Sequence, residues 1–102
     1  MGLCVFKFDG KCGIKRGRYG EFLLEMEYDN IYKISKFYIL VKEGKYGLCK
    51  GLYYKEDKRF DLELIAPCEY NSVELVDGDT LLLKDSENEI IVRECLNALE
   101  CH

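Results

Sequence analysis

The sequence predicts a mainly β fold: an antiparallel meander of hairpins built from two similar units, followed by a short C-terminal helix. Three observations predict it. First, Asp9-Gly10-Lys11-Cys12-Gly13-Ile14-Lys15 is matched, 34 residues later, by Glu43-Gly44-Lys45-Tyr46-Gly47-Leu48-Cys49. Second, Phe22-Leu23-Leu24-Glu25-Met26-Glu27-Tyr28-Asp29-Asn30-Ile31 is matched, 42 residues later, by Leu64-Ile65-Ala66-Pro67-Cys68-Glu69-Tyr70-Asn71-Ser72-Val73. The difference of eight residues falls in the charged insertion from Gly51 to Glu63. Two matches in the same order make an internal repeat, and a repeat decides the fold. Third, short apolar runs meet at Asp9-Gly10, Glu43-Gly44 and Asp77-Gly78. Glycine supplies the positive φ that such tight hairpin turns require.

Taken in order, Val5 to Phe8 and Lys11 to Lys15 form the first hairpin around Asp9-Gly10. Gly17 to Gly20 is a short connection. Phe22 to Glu27 and Ile31 to Ile34 are strands flanking Tyr28-Asp29-Asn30, where Asp and Asn side chains can bond to their own backbone. Phe37 to Val41 and Lys45 to Lys50 form the central hairpin. Leu62 to Ala66 and Val73 to Val76 repeat the second strand pair, with Pro67 read as a strand end because it has no amide hydrogen. Asp77-Gly78 turns the chain into Thr80 to Lys84. At the C-terminus Ser86-Glu87-Asn88-Glu89 reads as a capping box, and Ile91, Val92, Cys95, Leu96 and Leu99 fall on one helical face. The β-branched run Ile90-Ile91-Val92 favours a strand instead. The helix is the expectation, as an atypical cap on the last open face of a repeat.

These residues resemble the WG (KWG) repeat of bacterial proteins, which runs Gly-Lys-Trp-Gly-Leu, an apolar strand, then Pro-x-x-Tyr-Asp. Gly44-Lys45-Tyr46-Gly47-Leu48 with Pro67-Cys68-Glu69-Tyr70-Asn71 is the better copy. Gly10-Lys11-Cys12-Gly13-Ile14 with Glu25-Met26-Glu27-Tyr28-Asp29 is the looser one. Tyr46 and Cys12 stand where that repeat has its tryptophan, and this chain has none. The resemblance covers about residues 5–84. It implies repeated β-hairpins that bind other macromolecules and no shared catalytic site. On this division the chain is a single domain, 1–102, with repeat 1 at about 5–41, repeat 2 at about 42–84 and a cap at about 86–101.

Composition narrows the function classes. The 102 residues suit one domain, and 48% hydrophobic residues provide a core of ordinary size. Charged residues at 33% and a single proline argue against disorder. No apolar run approaches the roughly 20 residues of a membrane helix. Met1-Gly2-Leu3-Cys4-Val5-Phe6-Lys7 lacks the charged and apolar regions of a signal peptide, so a cytoplasmic protein without membrane contact is expected. Six cysteines (Cys4, Cys12, Cys49, Cys68, Cys95, Cys101) are then expected as reduced thiols in small apolar roles. No Cys-x-x-Cys occurs, and a zinc site would have to gather Cys95, Cys101 and the terminal His102. No metal and no cofactor are expected.

Catalysis has no candidate either. The only histidine is the last residue, which leaves no Ser-His or Cys-His pair. There is no glycine-rich phosphate loop. Glu25 and Glu27 alternate as a solvated strand face would. Neither an enzyme nor a small-molecule substrate is expected.

Charge points to a macromolecular partner. Residues 1–50 hold ten Lys or Arg against six Asp or Glu, and residues 51–102 hold five against thirteen. The acidic half supplies the candidate partner-binding residues, Glu69, Glu74, Asp77, Asp79, Asp85 and Glu87, at turns and hairpin tips. A basic stretch, Lys15, Arg16, Arg18 and Tyr19, is the competing site, where cations and a ring would track phosphate and stack a base. Tyr28, Tyr46 and Tyr70 are expected in the core, with their hydroxyls at the turns. The function expected is a non-catalytic protein-binding module. Its alternatives are an inhibitor of a bacterial toxin or defence nuclease, whose acidic face enters a basic channel, and a weak nucleic-acid binder through residues 15–18. Nothing in the sequence sets the oligomeric state.

Overall fold

The computed structural model describes residues 2–17, 19–76 and 80–92. Among these residues ten strands follow one another: β1 (Leu3–Phe8), β2 (Lys11–Arg16), β3 (Phe22–Tyr28), β4 (Asn30–Ile34), β5 (Phe37–Lys42), β6 (Lys45–Tyr54), β7 (Arg59–Tyr70), β8 (Ser72–Val76), β9 (Thr80–Lys84) and β10 (Glu89–Val92). The fold is mainly β and antiparallel, built of hairpins as the sequence predicts. It is divided into three sheets, β1-β2-β3, β4-β5-β6-β7 and β8-β9-β10, rather than one sheet system.

Local chemistry sets the turns. Asp9 and Gly10 have φ of 55° and 80°, and Glu43 and Gly44 have 53° and 78°. Positive φ at both central residues is the type I′ geometry that matches strand twist. The charged insertion continues the central hairpin as an arm, in which Leu52 pairs with Asp61 and Tyr54 with Arg59. The Tyr53 and Phe60 rings lie 4.7 Å apart along it.

The second sheet is the middle layer. Phe37 and Ile39 point one way, into a core with Leu48, Ala66, Leu81 and Leu83. Tyr38 and Leu40 point the other way, against Ile14 and Cys49. β5 is therefore buried on both faces, which is why Phe37 to Val41 reads as an unbroken apolar run rather than an alternation. Tyr28 packs against the second of these cores, and Tyr46 and Tyr70 against the first, each half-buried.

Two glycines fix how β2 meets β3 and how β6 meets β7. The β2–β3 pairing shifts register between Cys12 and Ile14, which face Tyr28 and Leu24. The β6–β7 pairing shifts between Tyr46 and Leu48, which face Tyr70 and Ala66. A Cβ on Gly13 would lie 2.6 Å from the Leu24 carbonyl oxygen, and one on Gly47 would lie 2.7 Å from that of Ala66. Backbone passes backbone here with no room for a side chain. Pro67 lies inside β7, opposite Gly47, rather than at a strand end. The bulge leaves its position without a ladder bond to lose.

The C-terminal helix expected over about 86–101 is corrected for its first part. Ser86 does not cap a helix. The Asp85 carboxylate accepts the amides of Glu87 (2.8 Å) and Asn88 (2.5 Å), and the Asp85 amide bonds to the Asn88 carbonyl. That closes a turn, after which Ile90-Ile91-Val92 continues as β10, paired with β9. The side chain one residue earlier takes the amides that a capping serine would need. Cys95, Leu96, Leu99, Cys101 and His102 lie outside the described residues, as do Arg18, Asp77 and Asp79.

The thiols of Cys4, Cys12, Cys49 and Cys68 are free, and Cys12 and Cys49 are buried. Burial pushes the Cys49 thiol up to about 11, with Cys68 beside it adding to the shift. An unfolded thiol ionises near 8.5. The contribution of Cys49 to stability is thus complete below pH about 8.5 and is lost as pH rises toward 11, by roughly 2–3 kcal/mol in total. Urea midpoints measured across that range should fall in the native chain and hold steadier in Cys49→Ala. Alkylation without reductant should modify six thiols after unfolding; a recovered disulfide or stoichiometric zinc would refute the reduced, metal-free reading.

Candidate binding edge

Meander topology sends alternate turns to opposite edges of the stack. The β1–β2 turn at Asp9-Gly10, the β5–β6 turn at Glu43-Gly44 and the β9–β10 turn at Asp85 to Asn88 lie on one edge. The crossings between sheets lie there too. The Asp29 amide bonds to the Val41 carbonyl where β3 passes to β4, and the Asn71 amide bonds to the Lys84 carbonyl where β7 passes to β8, both at 2.7 Å.

Side chains tie this edge together in a recurring way. Lys11 Nζ donates to Asp29 Oδ1 at 2.9 Å, and Lys45 Nζ donates to Asn71 Oδ1 at 2.5 Å. These are the lysines of the two Gly-Lys steps and the acceptors of the two Tyr-Asp/Asn steps. Asp29 Oδ2 also accepts the Glu43 amide at 2.9 Å. Lys42 Nζ pairs with Glu27 at 2.7 Å and sits 5.8 Å from the centre of the Tyr28 ring.

The bonds hold these groups charged. Lys11 and the Glu43 amide bring the Asp29 carboxyl below its usual value. The Glu87 and Asn88 amides do the same for Asp85. The hydrogen bond from Lys42 to Glu27 raises the lysine. Burial, then the Glu27 charge, raises Tyr28, which stays a neutral phenol at physiological pH.

Lys11 and Lys42 are paired with carboxylates, Lys45 bonds to the neutral Asn71 and Lys84 is exposed on the same edge, whereas four carboxylates, Asp9, Glu43, Glu69 and Glu87, have no ion-pair partner among the described residues and outnumber those two cations. The edge is therefore acidic. A cleft of about 450 Å³ opens on it, bordered by Tyr28, Lys42, Glu43, Lys45, Pro67 and Glu69. The opposite edge is mixed: the β4–β5 turn carries Lys36, the tip of the long arm holds Lys55 and Lys58 beside Glu56 and Asp57, and Arg16 at the end of β2 is paired with Glu21.

The candidate residues separate accordingly. Glu69, Asp85 and Glu87 come together on the acidic edge. Asp85 is spent on its own turn, so Glu69 and Glu87 are the available pair. Glu74 lies apart, exposed on the outer face of the third sheet beside Leu82. Of the basic stretch, Arg16 is committed: Nε donates to the Phe60 carbonyl at 2.8 Å, and its terminal nitrogens reach Glu21 at 2.8 Å and Asp61 at 3.7 Å. Lys15 Nζ sits over the Phe6 and Phe22 rings, and Tyr19 is 91% exposed. Lys15 and Arg16 thus serve different faces and do not form one anion-binding loop.

Sequence reasoning missed Asp9, Glu43 and the three engaged lysines. A signal for them was present, since Asp9 and Glu43 occupy the same turn position in both copies. Their convergence needed the strand count that puts both turns on one edge. Among the described residues no three His, Cys, Asp or Glu side chains gather as a metal site, and no helix is long and apolar enough to cross a membrane. No protein-family model matches the chain, and neither the curated proteins nor the solved structures contain a significant match to it.

Proposed function

We propose that this chain is a non-catalytic protein-binding module, a degenerate repeat of the WG type, that engages a basic partner through its acidic turn edge. The observation that carries the reading is the surplus of unpaired carboxylates, Asp9, Glu43, Glu69 and Glu87, over the edge cations Lys45 and Lys84, with Lys11 and Lys42 already paired to Asp29 and Glu27. Carboxylates on rigid turns speed association with a cationic surface and make it fall with salt. The repeat reading is supported by the two Gly-centred bulges and the two Lys–Asp/Asn clamps, which recur at the sequence offsets. A partner whose own surface is basic, such as a nuclease or other nucleic-acid-binding complex, fits this edge best, and occupying its channel would make the chain an inhibitor.

Partner capture with the native chain and with Glu69→Lys plus Glu87→Lys tests this. Both side chains are exposed, so the fold should persist. The double variant should bind at least about tenfold more weakly, which is the loss of roughly 1.4 kcal/mol. Native binding should also weaken steadily with ionic strength. Binding that survives this pair but is lost in Lys55→Glu plus Lys58→Glu would put the interface on the opposite edge.

A further inference from the structure

Among the described residues nothing covers one face of the first sheet, and the second sheet shows what such a face is for. Leu40 pairs with Gly47 and Tyr38 with Cys49. Phe6 pairs with Gly13 and Cys4 with Lys15. Gly13 and Gly47 open the two matching bulges, so Cys4, Phe6 and Lys15 occupy the positions of Tyr38, Leu40 and Cys49. In the second sheet those three are buried, packed against Ile14, Leu3 and Leu24 of the first. In the first sheet the corresponding rear face carries Phe6, Phe22 and Phe8, with the Lys15 ammonium 4.7 Å and 5.2 Å from the centres of the Phe6 and Phe22 rings. Phe22 is 37% and Phe8 76% exposed.

The third sheet has the complementary surplus. Its inward residues Val73, Leu81 and Leu83 close on the second sheet. Its outward row, Glu74-Leu82-Ile91 across the three strands, matches the row Tyr32-Ile39-Leu48 of the second sheet. Among the described residues no element lies over it, and Ile91 is 48% exposed. Inside the chain, the front of one sheet always packs on the rear of the next.

We propose that the rear face of the first sheet docks on the front face of the third sheet of a second copy, so that the chain associates head to tail by continuing its own sheet stack. The inference rests on the equivalence of the units used above. Charge favours this pairing: the cation at the centre of the rear face is Lys15, and the front face carries Glu74 and Glu89 against one cation, Lys84, which lies beside Glu89. Rear-to-rear docking would set Lys15 against Lys15. The contact is heterologous, so it adds copies in sequence rather than closing a two-fold dimer. It is also weak. Three strands of about six residues span roughly 14 by 20 Å, or roughly 300 Å², against about 800 Å² per partner in a standard interface.

Sedimentation velocity over a concentration series tests it with two variants at exposed sites. Phe8→Glu with Phe22→Glu spoils the rear face; Glu74→Lys with Ile91→Lys spoils the front. The native chain should shift to larger species as concentration rises. Each variant alone should remain a monomer, with native circular dichroism showing that it is folded. Mixed in equal amounts, the two should form a complex of twice the monomer mass and nothing larger, because one intact face remains on each. A native chain that stays monomeric at its highest soluble concentration overturns the proposal. So does a dimer kept by one variant alone, which would mean rear-to-rear or front-to-front contact. Glu69→Lys plus Glu87→Lys should still self-associate, so failure of the acidic-edge reading and failure of this one are told apart.

Discussion

Gly47→Ala should lower stability by about 3 kcal/mol, the upper part of the overpacking range, which in a domain of this size is a drop in Tm of roughly 12–24 °C. The added Cβ would stand 2.7 Å from the Ala66 carbonyl oxygen and 2.9 Å from the Cys68 amide nitrogen. These are backbone atoms of the paired strand and cannot rotate away. Relief requires β6 and β7 to part at the bulge, which also disturbs Leu48 and Ala66 in the core beside it. Gly13→Ala should behave alike, with the Leu24 carbonyl oxygen 2.6 Å from its Cβ. Gly44→Ala is the control. A Cβ there meets nothing within 4 Å, so only the left-handed φ of 78° opposes it, at about 1–2 kcal/mol. Thermal unfolding followed by circular dichroism should rank Gly47→Ala well below Gly44→Ala. Equal melting temperatures would mean that the two strands do not approach this closely.

Phe37→Ala should be the most damaging core substitution, at about 3–5 kcal/mol. Phe37 is fully buried at the start of β5, in the core between the second and third sheets with Ile39, Leu48, Leu81 and Leu83. Its truncation leaves a cavity that three packed strands cannot collapse into. Phe8→Ala, at a residue 76% exposed, should change stability by no more than about 0.5 kcal/mol. Urea midpoints of the two variants measure the contrast directly. A small effect at Phe37 would mean that the third sheet does not pack where the structure has it.

Phe8 and Phe37 are both phenylalanines in strands next to a turn, and nothing local distinguishes their burial. The difference lies in which sheet each strand joins and whether another sheet lies over it. The same holds for Lys15 and Cys49, which occupy matched register positions: one is on an outer face, the other between sheets.

Strand identity and turn placement were legible in the sequence because they are local. Two-residue turns with a glycine, β-branched runs and alternation marked the hairpins at Asp9-Gly10 and Glu43-Gly44, while the arm that β6 and β7 extend past Lys50 read only as a charged insertion, because its pairing depends on the partner strand. Ser86 misled because a capping box and an Asx turn share their residue types, and the competition for the amides is settled by Asp85, one position away. Which carboxylates remain available was decided only by the tertiary structure. Asp29 and Asp85 look as free as Glu69 and Glu87 along the chain. The crossing at Asp29 brings it to Lys11 and the Glu43 amide, while the turn at Asp85 folds its own amides back onto it. Sequence order determined the charges and the strands. Stacking three sheets determined the rest, because an edge and a face exist only once strands far apart in the chain lie side by side.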